Sequence, residues 1–305
     1  MDRLEAMSLL VAVAERGSLS AAGRAVGVPL ATLSRKISDL ESTLGARLLI
    51  RTTRKLVLTD AGVAYVAAAR RILEQVEEAE RAAAGEFVVP KGELAVTAPL
   101  MFGRLHVLPL VADFLAQHAE ITVRLILSDR NVDLIGDHVD MAVRIGRLPD
   151  STMVATQVGT TRMVTCASPA LLAARGVPLK PDDLTRLPSL ALASTTPSPY
   201  WTFRNPQSDA VFDIPIQPRL TVTTPEAAAH AAVHGVGVAH LLHYQVSEAV
   251  KRGDLQIILD AYEPAPAPIH LLHAARGHMP LKMRRFLDFA APRLKEALDA
   301  VMITS

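Results

Sequence analysis

The sequence predicts an α/β protein in which a small, mostly α-helical N-terminal domain precedes a larger domain of alternating strands and helices. The 305 residues exceed the length that one hydrophobic core usually organises, so at least two domains are expected. Apolar residues recur at helical spacing up to residue 44, whereas strand-like runs alternate with helical ones from residue 93 onward. Half of the residues are hydrophobic, which provides enough apolar material for both cores.

Three short helices account for the first 45 residues. The first helix has one apolar face and ends at Gly17. Ser18 or Ser20 begins a second, alanine-rich helix that ends at Gly27, and a third helix follows from about Pro29. The tight glycine-containing turn between the second and third helices predicts a helix-turn-helix.

The solvent-facing side of the third helix carries the side chains that suit a contact with DNA. A major groove admits one helix, and the N-terminal residues of that helix reach the base edges. Arg35 suits a bidentate contact with guanine, whereas Thr32 or Ala31 suits a thymine methyl group. The expected DNA-contacting residues of the two helices are Ser20, Leu30, Ala31, Thr32, Ser34, Arg35 and Lys36, with Ser34 or Lys36 on a phosphate. An ordinary solvated helix face is the alternative.

A β-hairpin wing is expected directly after the third helix. Two strand-like runs, 48–51 and 55–58, flank a polar turn, and no acidic residue lies between Arg47 and Lys55 although the net charge of the whole chain is only +1. Such a local positive patch is typical of a module that contacts phosphates or enters a minor groove. The wing residues expected to contact DNA are Arg51, Thr52, Thr53 and Arg54.

The first sixty-odd residues resemble the signature of the LysR-type transcription regulators, without a gap. The segments that carry the resemblance are Leu19-Ser20-Ala21-Ala22, Leu33-Ser34-Arg35-Lys36-Ile37, Leu40-Glu41, Leu44-Gly45, Leu48, Arg51, Arg54, Leu58-Thr59 and Ala61-Gly62. The resemblance implies a winged helix-turn-helix DNA-binding domain over residues 1–59. Pro29 replaces the usual capping serine, and Leu30 replaces a frequent glutamine, which leaves open whether position 30 contacts a base.

A long helix from about residue 60 to residue 86 connects the two domains. Its apolar residues alternate steps of four and three, which is a heptad seam: Tyr65, Ala69, Ile72, Val76, Ala79 and Ala83. We read residues 60–92 as a dimerisation helix and linker; packing of the seam on the chain's own body is the alternative. In the family this helix is the dimer arm, which implies a homodimer or homotetramer on an inverted-repeat promoter operator.

The remaining residues, 93–305, predict a mainly parallel sheet covered by helices. The predicted strands are 94–97, 122–127, 141–145, 162–167, 189–193, 220–222, 237–241 and 269–274, and the predicted helices are 105–117, around 132–135, 225–234 and 280–298. We expect two lobes, one formed by 93–161 with 268–305 and the other by 162–267. This order is similar to the periplasmic-binding-protein-like effector domain of LysR-type regulators, and the segments 139–146 and 201–203 resemble the CrgA-like branch.

The carboxyl ends of the strands are the expected site of a small-molecule effector. Hydroxyl groups and helix N-termini suit a carboxylate, Arg144 suits its charge, and Trp201 with Phe203 suits an apolar wall. The expected residues are Pro99, Leu100, Met101, Ser128, Arg144, Ile145, Gly146, Ser194, Thr196, Trp201, Phe203, Thr223 and Thr224. The sequence therefore predicts an organic or aromatic acid as effector. Alternatively, Trp201 packs the second lobe and Arg144 belongs to a structural ion pair.

Enzymatic, metal-binding and cofactor functions find no support in the sequence. His230 and His234 are one helical turn apart, but no cysteine or glutamate completes a zinc pattern around them. Residues 235–240 lack the third glycine of a dinucleotide fingerprint. A single cysteine, Cys166, and a start without signal peptide or apolar anchor favour the cytoplasm. We expect promoter DNA, an effector and further copies of the chain as partners, and leave a contact with RNA polymerase open.

Overall fold

The computed structural model describes residues 2–51, 56–83, 89–130, 134, 137, 139–148, 153–193, 200–274 and 279–303. The chain divides into two compact units, Met1–Gly92 and Glu93–Ser305.

The N-terminal unit begins with three helices: α1 (Arg3–Arg16), α2 (Leu19–Val26) and α3 (Leu30–Leu44). Asp2 and Ser18 cap the first two by accepting hydrogen bonds from backbone N–H groups of the first turn. The helices bury one shared core: Ala6, Leu9, Leu10, Val13, Ala22, Leu33, Ile37 and Leu40, joined by Leu48, Leu49 and Val66. The expected helix-turn-helix is therefore present, and Leu44 at the end of α3 is 42% exposed.

Gly23 sets the tightness of the turn between α2 and α3. The Val28 N–H donates to the Gly23 carbonyl over 2.9 Å. A Cβ atom at position 23 would lie 2.7 Å from the Val28 carbonyl oxygen, closer than real Cβ contacts. A side chain here would thus push the start of α3 away from α2, which explains why glycine occupies an otherwise regular helix.

A two-stranded wing follows α3, as the sequence predicts. β1 (Leu49–Arg51) pairs antiparallel with β2 (Leu56–Leu58). The Glu41 carboxylate of α3 accepts hydrogen bonds from the backbone N–H groups of Leu48 and Leu49, at 2.7 and 3.0 Å. These charge-assisted hydrogen bonds fix the start of the wing to α3.

The connecting helix α4 (Asp60–Ala83) uses its predicted seam in two ways. Its first part packs on its own domain: Ala69 is fully buried and Arg70 lies 3.1 Å from Glu15 of α1. The second part of α4, which begins at Ile72, is less covered by this domain, since Ile72 is 38% exposed. The alternative of packing on the chain's own body therefore holds for the start of the seam, and only the part from Ile72 onward is left for another copy.

The first lobe of the second unit is built on a five-stranded sheet of order β4–β3–β5–β14–β6. The strands are β3 (Gly92–Ala98), β4 (Ile121–Leu127), β5 (Met141–Ile145), β6 (Met153–Thr161) and β14 (Ala267–Ala274). Helices α5 (Leu100–Gln117) and α9 (Leu281–Ile303) cover it. The core includes Phe102, Phe114, Phe286 and Phe289, with Phe114 and Phe286 in edge-to-face contact at 5.1 Å.

The second lobe surrounds a three-stranded sheet of order β12–β7–β13. Its elements are β7 (Met163–Ala167), α6 (Pro169–Arg175), a 3₁₀ turn (Pro181–Arg186), β8 (Ser189–Leu192), β9 (Tyr200–Arg204), β10 (Val211–Pro215), β11 (Pro218–Val222), α7 (Pro225–Val233), β12 (Ala239–Leu242), α8 (His243–Lys251), β13 (Gln256–Ile258) and a 3₁₀ turn (Asp260–Tyr262). A bridge between Ser189 and Val238 joins the parallel pair β8–β11 to this sheet.

The chain crosses between the lobes twice, at residue 162 and after Tyr262. The two crossings are linked, because an Arg162 guanidinium nitrogen lies 3.6 Å from a Glu263 carboxylate oxygen. Burial raises the pKa of Glu263, while the Arg162 charge lowers it. This half-buried pair ties the two connecting segments to each other.

Several sequence expectations for this unit were wrong in detail. Neither main sheet is mainly parallel: the first-lobe sheet is mixed, because β14 returns from the second lobe and pairs antiparallel with both β5 and β6, and the three-stranded sheet of the second lobe is antiparallel. β6 and α8 were not predicted, and residues 200–203, for which no strand was predicted, form strand β9 of a hairpin. The helix expected around 132–135 falls largely outside the described residues.

Among the described residues, α5 is the one helix long and apolar enough to cross a membrane by length and composition. Its Phe102, Val107, Val111 and Phe114 side chains are buried in the first lobe, which is the packing of a core helix. It contains a π-helical turn at Gly103–Val107. There a Cβ atom on Gly103 would lie 2.2 Å from Leu127, so this glycine lets the helix approach β4 closely.

Candidate DNA-binding surface and effector site

The N-terminal half of α3 presents an uneven surface to solvent. Leu30, Ala31 and Arg35 are exposed, whereas Thr32 and Ser34 are half-buried. Ser20 at the start of α2 is exposed. In the part of the chain that the structure describes, no hydrogen bond or ion pair holds Arg35, which leaves its planar group of donors available for a bidentate contact.

Lys36 does not fit its expected role as a phosphate ligand. Its ammonium group forms an ion pair with the Glu5 carboxylate of α1, and a quarter of its side chain is exposed. Lys36 therefore links α1 to α3. Sequence patterns could not show this pair, because its members are 31 positions apart on separate helices.

Ser38 was missed by the sequence reasoning. It is exposed, three residues after Arg35 and seven after Ala31, so it lies on the same face of α3. The helical spacing alone could have identified it. Arg24 at the end of α2 and Arg47 before the wing are also exposed cations of this domain.

The wing is only partly described at its functional end. Arg51 lies in β1, where its backbone pairs with Leu56. Thr52, Thr53 and Arg54 lie outside the described residues.

The ends of β3 and β4 in the first lobe form one polar corner. The Leu100 N–H donates to the Asp129 carboxylate over 3.0 Å, and the Ser128 N–H donates to the Ala98 carbonyl over 3.0 Å. Pro99 precedes the first turn of α5 without a capping side chain. The expected residues Pro99, Leu100, Met101 and Ser128 are thus brought together, although the Ser128 hydroxyl already accepts a hydrogen bond from the Arg130 N–H.

Arg144, Ile145 and Gly146 end strand β5 at the same edge, because β5 runs parallel to β3. One Arg144 nitrogen donates to the Val143 carbonyl over 3.1 Å, and burial lowers the pKa of this guanidinium. Ile145 packs against the first-lobe core. Gly146 adopts a φ of 104°, and its N–H donates to the Pro268 carbonyl over 2.8 Å.

Trp201 and Phe203 belong to the core of the second lobe, which corrects the expectation that both form a wall of the effector site. Phe203 is 1% exposed and packs with Ile214 and neighbouring apolar residues. Trp201 stacks on His240 with ring centroids 5.2 Å apart and borders a cavity of about 200 Å³ inside this lobe. The alternative of a structural tryptophan therefore describes Trp201 better.

The other expected residues of the second lobe follow strands β8 and β11. Thr223 is exposed. Thr224 caps α7 by accepting a hydrogen bond from the Ala227 N–H over 3.3 Å. Ser194 and Thr196 lie outside the described residues.

An ion pair joins the two lobes beside these strand ends. Arg104 of α5 lies 2.9 Å from Glu226 in the first turn of α7. Nearby, Tyr244 of α8 reaches into the core of the first lobe and contacts Phe102 edge-on at 5.3 Å. Burial raises the pKa of Tyr244 to about 12, so its hydroxyl stays protonated. No sequence pattern indicated either contact.

A cavity of about 470 Å³ lies between α5, α7 and α8. Met101, Leu105, Val233 and Tyr244 contribute apolar surface, and Arg104 and Glu226 lie at its boundary. This volume is within the range of small-molecule pockets. Met101 is the one residue of the expected effector set that lines it.

Comparison with known proteins decides the family. Residues 4–63 match the model of the bacterial regulatory helix-turn-helix proteins of the lysR family, and residues 89–295 match the LysR substrate binding domain. The chain belongs to the LysR family of transcription regulators. Members of this family bind promoter DNA and small-molecule effectors, form oligomers and are not enzymes.

Relatives and solved structures cover nearly the whole LysR-type chain. An HTH-type transcriptional regulator of Xanthomonas campestris is 35% identical over 96% of this chain and 86% of its own length. The activator AaeR of Escherichia coli is 30% identical, with 93% and 91% covered. The structure of CrgA from Neisseria meningitidis is 28% identical, with 95% and 98% covered and a TM-score of 0.61. The full-length structure of the virulence activator AphB from Vibrio cholerae is 25% identical, with 94% and 98% covered and a TM-score of 0.60.

Cys166 of this LysR-type regulator lies in β7 and is fully buried. Burial raises the pKa of its thiol to about 12. The thiol therefore stays protonated near neutral pH and is a small apolar group of the second-lobe core.

Proposed function

We propose that this regulator binds an inverted-repeat promoter operator sequence-specifically and that an organic acid, including aromatic acids, modulates this binding from a site between its two lobes. The observation that carries the DNA-binding part is the exposed Arg35 on α3. Within the described residues it has no hydrogen-bonding or ionic partner, at a helix position from which side chains reach base edges. The proposal includes a direct contact of Arg35 with a base and a contact of Arg51 with the phosphate backbone of the DNA.

Support for an acidic effector comes from the first-lobe edge. Arg144 is a half-buried cation at this edge, and burial lowers the pKa of its guanidinium. An effector carboxylate could form charge-assisted hydrogen bonds with such a group.

Coupling between effector and DNA is proposed to act through the angle between the lobes. An effector can shift that angle only by its differential affinity for two arrangements, typically about 1–3 kcal/mol. The lobes are joined by two crossings, by Tyr244 packed in the first-lobe core, and by the exposed pair Arg104–Glu226, which contributes at most about 1 kcal/mol because water screens it.

The assembly is proposed to be a homodimer or homotetramer that works in the cytoplasm. The part of the α4 seam that begins at Ile72 is the proposed contact between copies. A contact with RNA polymerase is part of the proposal for promoters that the protein activates.

The effector proposal is tested by melting temperature and DNA affinity of the full-length protein against a panel of carboxylic acids and their uncharged amides. Acids, but not the amides, should shift both quantities for the wild type. Arg144→Gln should abolish the shift, whereas the control Arg147→Gln, at an exposed arginine three residues further on, should retain it. If no acid shifts either quantity, or if both variants respond equally, the acid proposal is wrong.

A further inference from the structure

The first turn of the recognition helix α3 offers DNA little polar surface. Pro29, Leu30 and Ala31 follow one another at its start, and the next residue, Thr32, is half-buried. No side chain caps α3, whereas Asp2 and Ser18 cap α1 and α2. The first fully exposed polar side chain of α3 is therefore Arg35.

Leu30 is the most exposed large apolar side chain of α3, with 48% of its surface accessible. It is not part of the core that Leu33, Ile37 and Leu40 form, although the helical period places it on the same side of α3, one turn before Leu33. A lone exposed leucine is common on protein surfaces and carries no inference by itself. The position of Leu30 does carry an inference, because the first residues of a recognition helix are those that enter the major groove.

The major groove offers such a side chain one favourable partner. Guanine, cytosine and adenine present only hydrogen-bond donors and acceptors there, whereas thymine also presents its C5-methyl group. A leucine placed against the polar edges would desolvate them without returning a hydrogen bond, which is unfavourable. Against a thymine methyl group it buries apolar surface on both sides.

We infer that Leu30 is a specificity-determining residue that selects a thymine in each operator half-site through its C5-methyl group. The inference rests on the proposed sequence-specific DNA binding and deepens it. Leu30 and Arg35 then divide the readout: Leu30 recognises a methyl group and Arg35 a pair of acceptors on guanine, as suits their positions at the first and second turns of α3.

The test removes or adds single methyl groups. Full-length protein selects duplexes from a random pool, and each thymine of the selected sequence is replaced in turn by deoxyuridine, which differs only by lacking the C5-methyl group. At one position per half-site we expect a loss of about fourfold in affinity, the effect of one buried methyl-sized group. Replacing the symmetric pair should weaken a dimer about 15-fold, the product of two such losses. With cytosine at that position, 5-methylation should restore part of the affinity.

Three variants assign the effect to Leu30. Leu30→Gln should lose the thymine-to-uracil difference at that one position and keep it elsewhere. Leu30→Met, which stays apolar, should retain the difference, and so should Leu44→Gln, the same change at an exposed leucine at the other end of α3.

The outcomes separate the inference from the proposed function. A selected sequence without any methyl-sensitive thymine, or a methyl sensitivity that Leu30→Gln leaves intact, overturns the role of Leu30 while sequence-specific binding stands. Selection that returns no preferred sequence overturns both.

Discussion

Arg35 is the side chain on which, in our proposal, the recognition of base pairs chiefly depends. Arg35→Ala should weaken binding to the selected operator by about 1–3 kcal/mol, because it removes a bidentate contact with guanine. Binding to random duplex should change far less. Competition titrations with operator and random DNA measure both quantities.

Arg51→Ala in the wing is the comparison for this experiment. A phosphate contact carries no sequence information, so its loss should weaken operator and random DNA alike and reduce the salt dependence of binding by about one phosphate contact. Equal losses on both DNAs for Arg35→Ala would show that Arg35 contacts the backbone instead.

His240 makes stability depend on pH. Its imidazole is buried against Trp201 and Phe203 and pairs with the Thr165 hydroxyl at 3.0 Å. Burial lowers its pKa to about 4 from an ordinary value of 6.5. Above pH 6.5 the His240 imidazole is neutral in both the folded and the unfolded chain. As the pH falls from 6.5 toward 4, it takes up a proton only in the unfolded chain. Over that window the free energy of unfolding should fall by roughly 3 kcal/mol.

Denaturant titrations between pH 7.5 and pH 4.5 measure this dependence. His240→Asn cannot take up the proton, so its free energy of unfolding should fall less steeply with decreasing pH, whatever its absolute stability. Parallel curves for the two proteins would mean that His240 is protonated in the folded state.

The exposure of a side chain could be predicted from the sequence where it depends on a local pattern. Arg35 and Ala31 are exposed on α3 as the helical period requires. Lys36 could not be assigned, because the period shows which side of a helix it occupies but not that Glu5 of another helix reaches it. Phe203 was misplaced for a related reason: an aromatic residue suits a ligand wall and a core equally well.

At the scale of elements, the seam of α4 is divided between a buried and an exposed part. Ala69 is buried within its own domain, whereas Ile72 remains exposed one turn later. Ile72→Glu should therefore reduce the oligomeric state, because a charge cannot be buried in a helix–helix seam. Light scattering on the purified protein measures the mass.

Gln75→Glu provides the control, since it introduces the same charge at an exposed position off the seam. Its mass should equal that of the wild type. An unchanged mass for Ile72→Glu would show that copies of the chain associate elsewhere.

Strands and helices of the second unit were predictable where apolar runs are long and bounded by turn residues, as in β4 and α5. β6 was missed because Met153–Thr161 mixes polar and apolar residues along the sheet edge, where one side of the strand faces solvent. The antiparallel direction of β14 follows from the return of the chain from the second lobe. The arrangement of the two lobes in space determines this direction, and a local sequence pattern contains no information about that arrangement.

On the scale of the whole molecule, two units with different chemistry are joined in one chain. The N-terminal unit holds exposed cations on a helix-turn-helix, and the second unit holds a desolvated arginine and two lobes connected at few points. Arg104–Glu226 is an exposed polar contact between the lobes, and breaking it costs little compared with core packing. A ligand between the lobes could therefore change their angle without unfolding either.

Titration of the full-length protein into labelled DNA from the region upstream of its own gene tests the central claim most directly. It is done with random duplex as competitor and at two salt concentrations. We predict saturable binding that survives the competitor at both salt concentrations. The affinity should fall as the salt concentration rises, because phosphate contacts release counterions. Binding that the competitor removes, or that vanishes at the higher salt with no preference between the DNAs, would contradict sequence-specific regulation by this protein.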